Sequence, residues 1–183
     1  FVMKLFNNKD LFKFLSAYMV LKVKIKEEVL WDFFYQCLEG LTYIHNQGII
    51  HRDIKLANLL MDDQGKIIIG DFGVSAVMNK DEAKKFMKDE KDDETKNSLI
   101  MNLNEQAGTP FYMAPEIEHK QKYDQKADVY SMGICFYALC FFGLPYVNDG
   151  YMDKLKSDTY YSNELKDVIK KMIEINPIKR PTS

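Results

Sequence analysis

Cysteine is scarce in this sequence, and its three cysteines do not form a metal-binding or redox pair. Cys37, Cys135 and Cys140 stand in apolar segments, and no C-x-x-C spacing occurs. The absence of that spacing argues against zinc and redox chemistry, so we expect small buried side chains in a reducing compartment. The protein is therefore predicted to be cytoplasmic, with the nucleus as an open alternative.

Long apolar runs and an excess of one charge are also missing. The most apolar stretch, residues 132–147, is interrupted by glycine and proline and falls short of the ~20 residues that a membrane span needs. The net charge of −2 provides no broad attraction to nucleic acid or to an anionic membrane. We expect a buried core helix in this stretch, with no membrane span and no nucleic-acid partner.

The composition is otherwise that of an ordinary globular domain. The 183 residues are 46% hydrophobic and 28% charged, which suits one domain with a real core. No secretory leader is visible, because Phe1 opens directly into apolar sequence without a basic segment. This opening leads us to expect a fragment that starts inside a domain.

Hydrophobic periodicity predicts a mainly helical chain. Apolar residues in the segment 27–46 recur at spacings of three and four, which predicts an amphipathic helix with acidic residues in its first turn. A shorter helix is expected to begin near Lys9. Apolar patterns at 129–142 and 165–175 predict that the chain after Pro115 is helical to its end.

Two segments depart from the helical pattern. The β-type runs 58–61 and 66–69 are joined by an Asp/Gly-rich connector, which predicts a hairpin. Between residues 80 and 96, 13 of 17 residues are Lys, Asp or Glu. This segment offers too little apolar surface to offset the entropy of ordering it, so we interpret it as a solvated insertion.

Three short motifs carry the chemical information. Residues 51–60 read HRDIKLANLL and fit the pattern H-R-D-x-x-x-x-N, and Asp71-Phe72-Gly73 follows beyond the predicted hairpin. Ala114-Pro115-Glu116 comes third in the same order. With these motifs the chain resembles the protein kinase family over essentially its whole length. Lys55 is typical of the kinases that phosphorylate serine or threonine.

The resemblance implies a fold class and a domain organisation. The chain would be a mainly α C-terminal lobe with a short β-hairpin (α+β), one domain over 1–183 without the N-terminal lobe. Residues 1–10 would form the hinge and the start of the first helix. The activation segment would span 71–116, with the charged insertion near 79–107.

The resemblance also assigns catalytic and metal-binding roles. Asp53 would accept the hydrogen bond of the substrate hydroxyl, and Lys55 would reach the γ-phosphate. Asn58 and Asp71 would bind Mg²⁺, a hard cation that prefers oxygen ligands. Thr109 would bond towards Asp53 and Lys55 and help to fix the hydroxyl acceptor.

A second group of residues is predicted to bind ATP. The backbone of Lys4 and Phe6 in the hinge would bind adenine, and Asp10 would face the ribose. Leu60 would form the apolar floor beneath the base. The cofactors implied by the resemblance are therefore ATP and Mg²⁺.

Four further residues match the supporting framework of the family. His51 is assigned a packing role, and Asp128 matches the buried acid that holds the backbone of the catalytic loop. Arg180 matches the late arginine that pairs with Glu116, and a planar ion pair of this kind favours Arg over Lys.

The upstream half of the family pattern is absent from these residues. The sequence contains no G-x-G-x-x-G loop and no V-A-I-K-like strand lysine, so half of the nucleotide site is missing. We predict an ATP-dependent serine/threonine kinase acting on a protein substrate, with residues 1–183 inactive alone. The alternatives are a pseudokinase scaffold and a truncated lobe acting as an interaction module.

Regulation and subfamily rest on the activation segment. Arg52 is the type of arginine that meets a phosphate there in many kinases, and an upstream kinase or a regulatory subunit is a possible partner. Because residues 101–107 contain no Ser, Thr or Tyr, we hypothesise that Glu105 substitutes for the phosphate. The segments 70–75 and 108–116 look like those of calcium/calmodulin-dependent kinase kinases or of sterile-20-like kinases.

Overall fold

The computed structural model describes residues 9–77, 110–145 and 150–183, which form a mainly helical structure. The helices are α1 (Leu11–Leu21), α2 (Glu27–Asn46), α3 (Pro115–Glu118), α4 (Lys126–Phe141), α5 (Tyr151–Ser157) and α6 (Asn163–Met172). The strands are β1 (Ile49–Ile50), β2 (Leu59–Met61), β3 (Ile67–Ile69) and β4 (Ala76–Val77). Short 3₁₀ helices lie at Leu56–Asn58, Pro110–Tyr112 and Pro177–Lys179.

Helix α2 confirms the prediction from periodicity. Its apolar positions, such as Leu30, Cys37 and Leu41, are fully buried against the core. Glu27 and Glu28 occupy the first turn, where acidic side chains complement the helix dipole. The chain then turns through Gly48, whose φ of 73° is a conformation that glycine adopts without steric cost.

Helix α4 lies at the centre of the core. Every residue from Ala127 to Phe141 is buried, so the helix is enclosed on all sides. Gly133 permits a close approach, because a Cβ there would stand 2.7 Å from Met172 Cβ and 2.8 Å from Ile173 Cγ2. The buried helix expected over 132–147 is therefore present but ends earlier than predicted, at Phe141.

The predicted hairpin is present as β2 and β3. The two strands pair antiparallel, with Leu59 opposite Ile69 and Leu60 opposite Ile68. A second antiparallel pair joins β1 to β4 and has no counterpart in the sequence predictions. Strands of two residues carry no measurable alternation, which explains why this pair was missed.

The end of the described chain is less helical than predicted. Helix α6 stops at Met172, and a 3₁₀ turn at Pro177–Lys179 follows it. The apolar pattern over 165–175 continues past the helix because Ile173 is buried beyond its end. Burial and helical backbone therefore do not share the same boundary here.

A polar contact joins the N-terminal ends of α2 and α6. The Glu27 carboxylate accepts hydrogen bonds from the backbone N–H of Ser162 at 2.7 Å, from the Ser162 hydroxyl, and from Trp31 Nε1 at 3.0 Å. Burial by itself would raise the pKa of Glu27, but the bonds from Ser162 outweigh it and lower the pKa below 4.5. The contact is therefore built for the ionised carboxylate.

The three cysteines are buried free thiols, as expected. Burial raises the pKa of Cys37 to about 12, so this thiol stays protonated and inert at neutral pH. Among the described residues, no helix has the length and hydrophobicity that crossing a bilayer requires.

Candidate active site

The catalytic loop starts directly after β1, at the centre of the described structure. His51 is buried and its Nε2 lies 2.9 Å from Gly70 O, while its ring packs 4.8 Å from that of Phe72. These contacts confirm the packing role predicted for His51. The next residue, Arg52, has a φ of 67°, a left-handed conformation that is unfavourable outside glycine.

The carboxylate of Asp128 holds this strained turn in place. Its Oδ2 accepts from the backbone N–H of His51 and its Oδ1 from that of Arg52, both at 2.8 Å. Asp128 is 1% exposed, at the start of α4. Hydrogen bonds to a buried carboxylate are among the stronger ones in proteins, so the loop backbone is fixed from the central helix, as predicted.

Two predicted catalytic residues, Lys55 and Asn58, converge on the carboxylate of a third, Asp53. Lys55 Nζ lies 2.6 Å from Asp53 Oδ2. Asn58 Nδ2 donates to the same oxygen at 3.1 Å and to Asp53 O at 2.8 Å. Lys55 immediately precedes the 3₁₀ helix Leu56–Asn58, and Asn58 is its last residue. The arrangement presents Asp53 as a fixed proton or hydrogen-bond acceptor.

Asn58 and Asp71 are the two residues predicted to bind Mg²⁺. Since Asn58 Nδ2 is engaged by Asp53, the amide offers its Oδ1 to a cation. The backbone N–H of Gly70 donates to Asn58 O at 2.8 Å, which brings Asp71 beside Asn58 at the base of the hairpin. Asp71 is exposed, and its Oδ1 lies 3.3 Å from Gly73 N.

The donor set agrees with this metal. Within the described residues, no group of three His, Cys, Asp or Glu side chains surrounds a common point. Mg²⁺ does not need one, because it retains waters and takes further oxygens from nucleotide phosphates. One carboxylate and one amide oxygen therefore fit Mg²⁺ better than zinc.

Besides Asp71, four residues were predicted to contact the nucleotide, and two of them lie together in the structure. Asp10 and Leu60 are 50 residues apart, yet they form an isolated antiparallel β-bridge. A Cβ on Gly70 would stand 2.9 Å from Leu60 Cδ1, so the Leu60 side chain packs closely against Gly70. Lys4 and Phe6 lie outside the described residues, and their adenine contacts stay predictions.

Asp10 has a second role that the sequence prediction missed. Its Oδ1 accepts from the backbone N–H of Lys13 at 2.8 Å and caps the N-terminus of α1. An Asp immediately before a helical apolar pattern is the signal that could have identified this cap. The ribose contact predicted for Asp10 stays a prediction.

Part of the predicted activation segment lies outside the described residues. Thr109, Glu105 and the charged insertion near 79–107 belong to that part. The end of the segment is described, and there Glu116 pairs with Arg180 through contacts of 2.5 and 2.8 Å. Their side chains are 3% and 0% exposed, which confirms the predicted buried pair.

His45 is a further supporting residue that the motifs did not reveal. It is buried, with Nε2 2.9 Å from Asp128 Oδ2 and Nδ1 2.7 Å from Ser183 Oγ. These partners are 83 and 138 residues away in sequence. Only the tertiary structure could reveal such a contact, since no local spacing indicates it.

Comparison with known proteins covers the whole chain. The protein kinase domain family matches residues 1–183. CBL-interacting serine/threonine-protein kinase 2 of Arabidopsis thaliana is 32% identical over 166 residues, covering 86% of this chain and 33% of that relative. CBL-interacting serine/threonine-protein kinase 10 of the same plant is 30% identical over 191 residues, covering 100% and 36%.

A relative of another kind shows similar identity. The eIF-2-alpha kinase GCN2 of Schizosaccharomyces pombe is 30% identical over 183 residues, covering 92% of this chain and 11% of the relative. The chain spans about a third of the length of the CBL-interacting kinases that it matches. These relatives do not confirm the predicted closeness to calcium/calmodulin-dependent kinase kinases or sterile-20-like kinases. By its motifs, its mainly helical fold and the match over residues 1–183, the chain belongs to the protein kinase domain family.

Proposed function

We propose that the protein transfers the γ-phosphoryl group of ATP to a serine or threonine hydroxyl of a protein substrate. The observation that carries the proposal is the convergence of Lys55 and Asn58 on the carboxylate of Asp53, beside the oxygen pair of Asn58 and Asp71. A phosphoryl-transfer site needs a hydroxyl acceptor and a cation site side by side, and in this proposal Asp53 is the acceptor while Asn58 and Asp71 form the cation site.

The residues divide the reaction between them. Asp53 accepts the hydrogen bond of the substrate hydroxyl and aligns its oxygen with the γ-phosphorus. A bond forms between this oxygen and phosphorus, the bond from phosphorus to the ADP oxygen breaks, and the hydroxyl proton passes to Asp53. Lys55 provides a point charge near the transferred group, and Asn58 keeps Asp53 in position.

Mg²⁺-ATP, when bound, supplies the phosphoryl group and neutralises its charge. Asn58 and Asp71 would hold the metal, and Leu60, Asp10, Lys4 and Phe6 would surround the nucleoside. Thr109 would support the orientation of the substrate hydroxyl. These roles come from the resemblance and are part of the proposal.

The finer assignments belong to the same proposal. The substrate is a protein with a Ser or Thr acceptor, in the cytoplasm, and an upstream kinase or a regulatory subunit controls the enzyme. The names of the relatives say that those kinases interact with CBL. Residues 1–183 by themselves are expected to be inactive, because they contain no G-x-G-x-x-G loop and no V-A-I-K-like strand lysine.

The test compares four forms of the full-length protein in a Mg²⁺-dependent phosphate-transfer assay with radiolabelled ATP and a mixed protein substrate. We expect Asp53→Asn to lower kcat about 10²- to 10⁴-fold, the usual contribution of a positioned acid or base. Asp71→Asn should require much higher Mg²⁺ concentrations, because it removes one anionic ligand. Asp63→Asn is the matched control.

Asp63 suits this purpose because it lies in the hairpin turn and its side chain is 64% exposed. Its surface pair with Lys9 is of a kind that contributes little to stability. Transfer that is absent from the wild-type protein, or that survives Asp53→Asn unchanged, would refute the proposal. A folded protein that transfers no phosphate would support the pseudokinase scaffold, one of the two alternatives predicted from the sequence.

A further inference from the structure

We propose that Tyr123 is a positioning residue of this kinase, acting through the guanidinium of Arg52. Its hydroxyl would fix the arginine that joins the catalytic loop to the segment after Asp71. The inference rests on the proposed function, since it concerns the relative placement of the hydroxyl acceptor Asp53 and the metal ligand Asp71.

Arg52 links separate parts of the site through different atoms. Its backbone N–H is bound by Asp128, and its Nε donates to Val74 O at 2.6 Å. Val74 follows Asp71 by three residues, so this bond connects the metal-binding segment to the residue that precedes Asp53. Movement of the guanidinium would therefore displace the acceptor and the metal ligand relative to each other.

Tyr123 holds the other end of the same guanidinium. Arg52 Nη1 donates to the Tyr123 hydroxyl oxygen at 3.2 Å, in a half-buried setting. A guanidinium is planar, so contacts at Nε and Nη1 together fix both its position and its rotation.

The tyrosine itself is firmly anchored. Its ring is partly buried and packs against the hydrophobic core. It lies between α3 and α4, in a connection that is fastened to the end of α2 because Gln125 Nε2 donates to His45 O at 2.7 Å. A hydroxyl on a rigid ring in a fastened connection can serve as a fixed reference for a flexible arginine side chain.

The location of Tyr123 also connects two functional segments. Helix α3 begins at Pro115, at the end of the predicted activation segment, and the connection to α4 starts after Glu118. Tyr123 therefore follows the end of the predicted activation segment along the chain and contacts Arg52 of the catalytic loop.

A general packing role predicts different behaviour from a positioning role. Loss of packing would lower the melting temperature and reduce the amount of active enzyme, without changing the kinetics of the molecules that remain folded. Loss of positioning would lower kcat more than it raises the KM for ATP, because the hydroxyl acts on the placement of Asp53 and Asp71 and is not itself predicted to contact the nucleotide. The two roles therefore separate in steady-state kinetics.

The test uses Tyr123→Phe in the full-length protein, which removes one oxygen and retains the ring. We expect kcat to fall about 10- to 150-fold, the range that loss of one hydrogen bond to a charged group can produce. The KM for ATP should stay within about twofold, and the melting temperature should change little. Tyr43→Phe is the matched control, because Tyr43 is a 69% exposed tyrosine on α2.

A double-variant cycle identifies the partner. If the hydroxyl acts through Arg52, Arg52→Lys combined with Tyr123→Phe should reduce kcat no more than Arg52→Lys alone. Losses that multiply would overturn the inference, as would a Tyr123→Phe enzyme with the kcat of the wild type. A rise in KM with unchanged kcat would overturn it too.

Hydrogen exchange separates this inference from the proposed function. We expect peptides covering 51–58 and 71–77 to exchange faster in Tyr123→Phe than in the wild type or in Tyr43→Phe. The reason is that Arg52 belongs to the first segment and its guanidinium bonds to Val74 in the second. Exchange is measurable even if the wild type transfers no phosphate. Unchanged exchange in both segments refutes the role of Tyr123, whereas absent transfer with faster exchange refutes only the proposed function.

Discussion

Truncation of Arg180 should be among the most destabilising single changes in this chain. Arg180 is 2% exposed and donates to both carboxylate oxygens of Glu116, at 2.5 and 2.8 Å. It also donates to the carbonyl oxygens of Glu174, Ile175 and Lys126, at 2.6, 2.9 and 3.2 Å. Its guanidinium carbon lies 4.7 Å from the centroid of the Tyr130 ring.

The expected loss of stability follows from the buried groups that lose their partner when Arg180 is truncated. Arg180→Ala removes five hydrogen bonds and leaves a buried carboxylate without its counter-charge, which typically costs about 3–5 kcal/mol. Such a loss is a large part of the ~5–15 kcal/mol by which domains are stable. Urea denaturation of the full-length protein, followed by tryptophan fluorescence and circular dichroism, measures the free energy of unfolding.

Two further variants test the reasoning. Lys179→Ala is the control, because Lys179 is an exposed neighbour and its loss should change stability by less than about 0.5 kcal/mol. The double variant Arg180→Met with Glu116→Leu should recover part of the loss, since it removes the orphaned charge as well. A cost below about 1 kcal/mol for Arg180→Ala, or a double variant less stable than it, would refute the account.

Two other predictions concern stability. Gly133→Ala should destabilise the fold by about 1–3 kcal/mol in the same urea assay, because the added Cβ would overlap α6. Gly40→Ala is the control and should not destabilise the fold, because its Cβ would meet only the Ile69 side chain. Glu27→Gln should cost about 1–2 kcal/mol at pH 7, with Glu28→Gln as control. A carboxyl group with a lowered folded-state pKa stabilises above its unfolded pKa of 4.5, so the difference from wild type should vanish as the pH falls through the folded value. A pH-independent difference would contradict the assignment of this pKa to the contact with Ser162.

Regular elements were predictable where a strong local pattern exists. The helix over 27–46 matches its prediction because seven or more apolar residues follow one face over five turns. The hairpin was equally clear, since two apolar runs flank a turn containing Gly65. The cluster of Asp53, Lys55 and Asn58 was predictable because the three residues are close in sequence within one loop. Their proximity therefore depends little on how the rest of the chain packs.

Long-range polar contacts were not predictable from local patterns. His45 binds Asp128 across 83 residues, and Glu27 binds Ser162 across 135 residues. Both pairs depend on how helices pack, and packing is decided by the sum of many apolar contacts. The pairing of β1 with β4 was missed for a related reason. Strands of two residues carry no local pattern, and here they pair only because the fold brings them together.

The bond between Asn58 O and Gly70 N has a consequence for labelling this protein. It closes the hairpin at its base, so the separation of the two predicted metal ligands is set there and not at the turn. The turn is closed independently, because Asp62 Oδ1 accepts from the backbone N–H groups of Gln64 and Lys66, both at 2.9 Å. A fluorophore attached at the exposed position 64 would thus report on the hairpin while the ligand spacing stays intact.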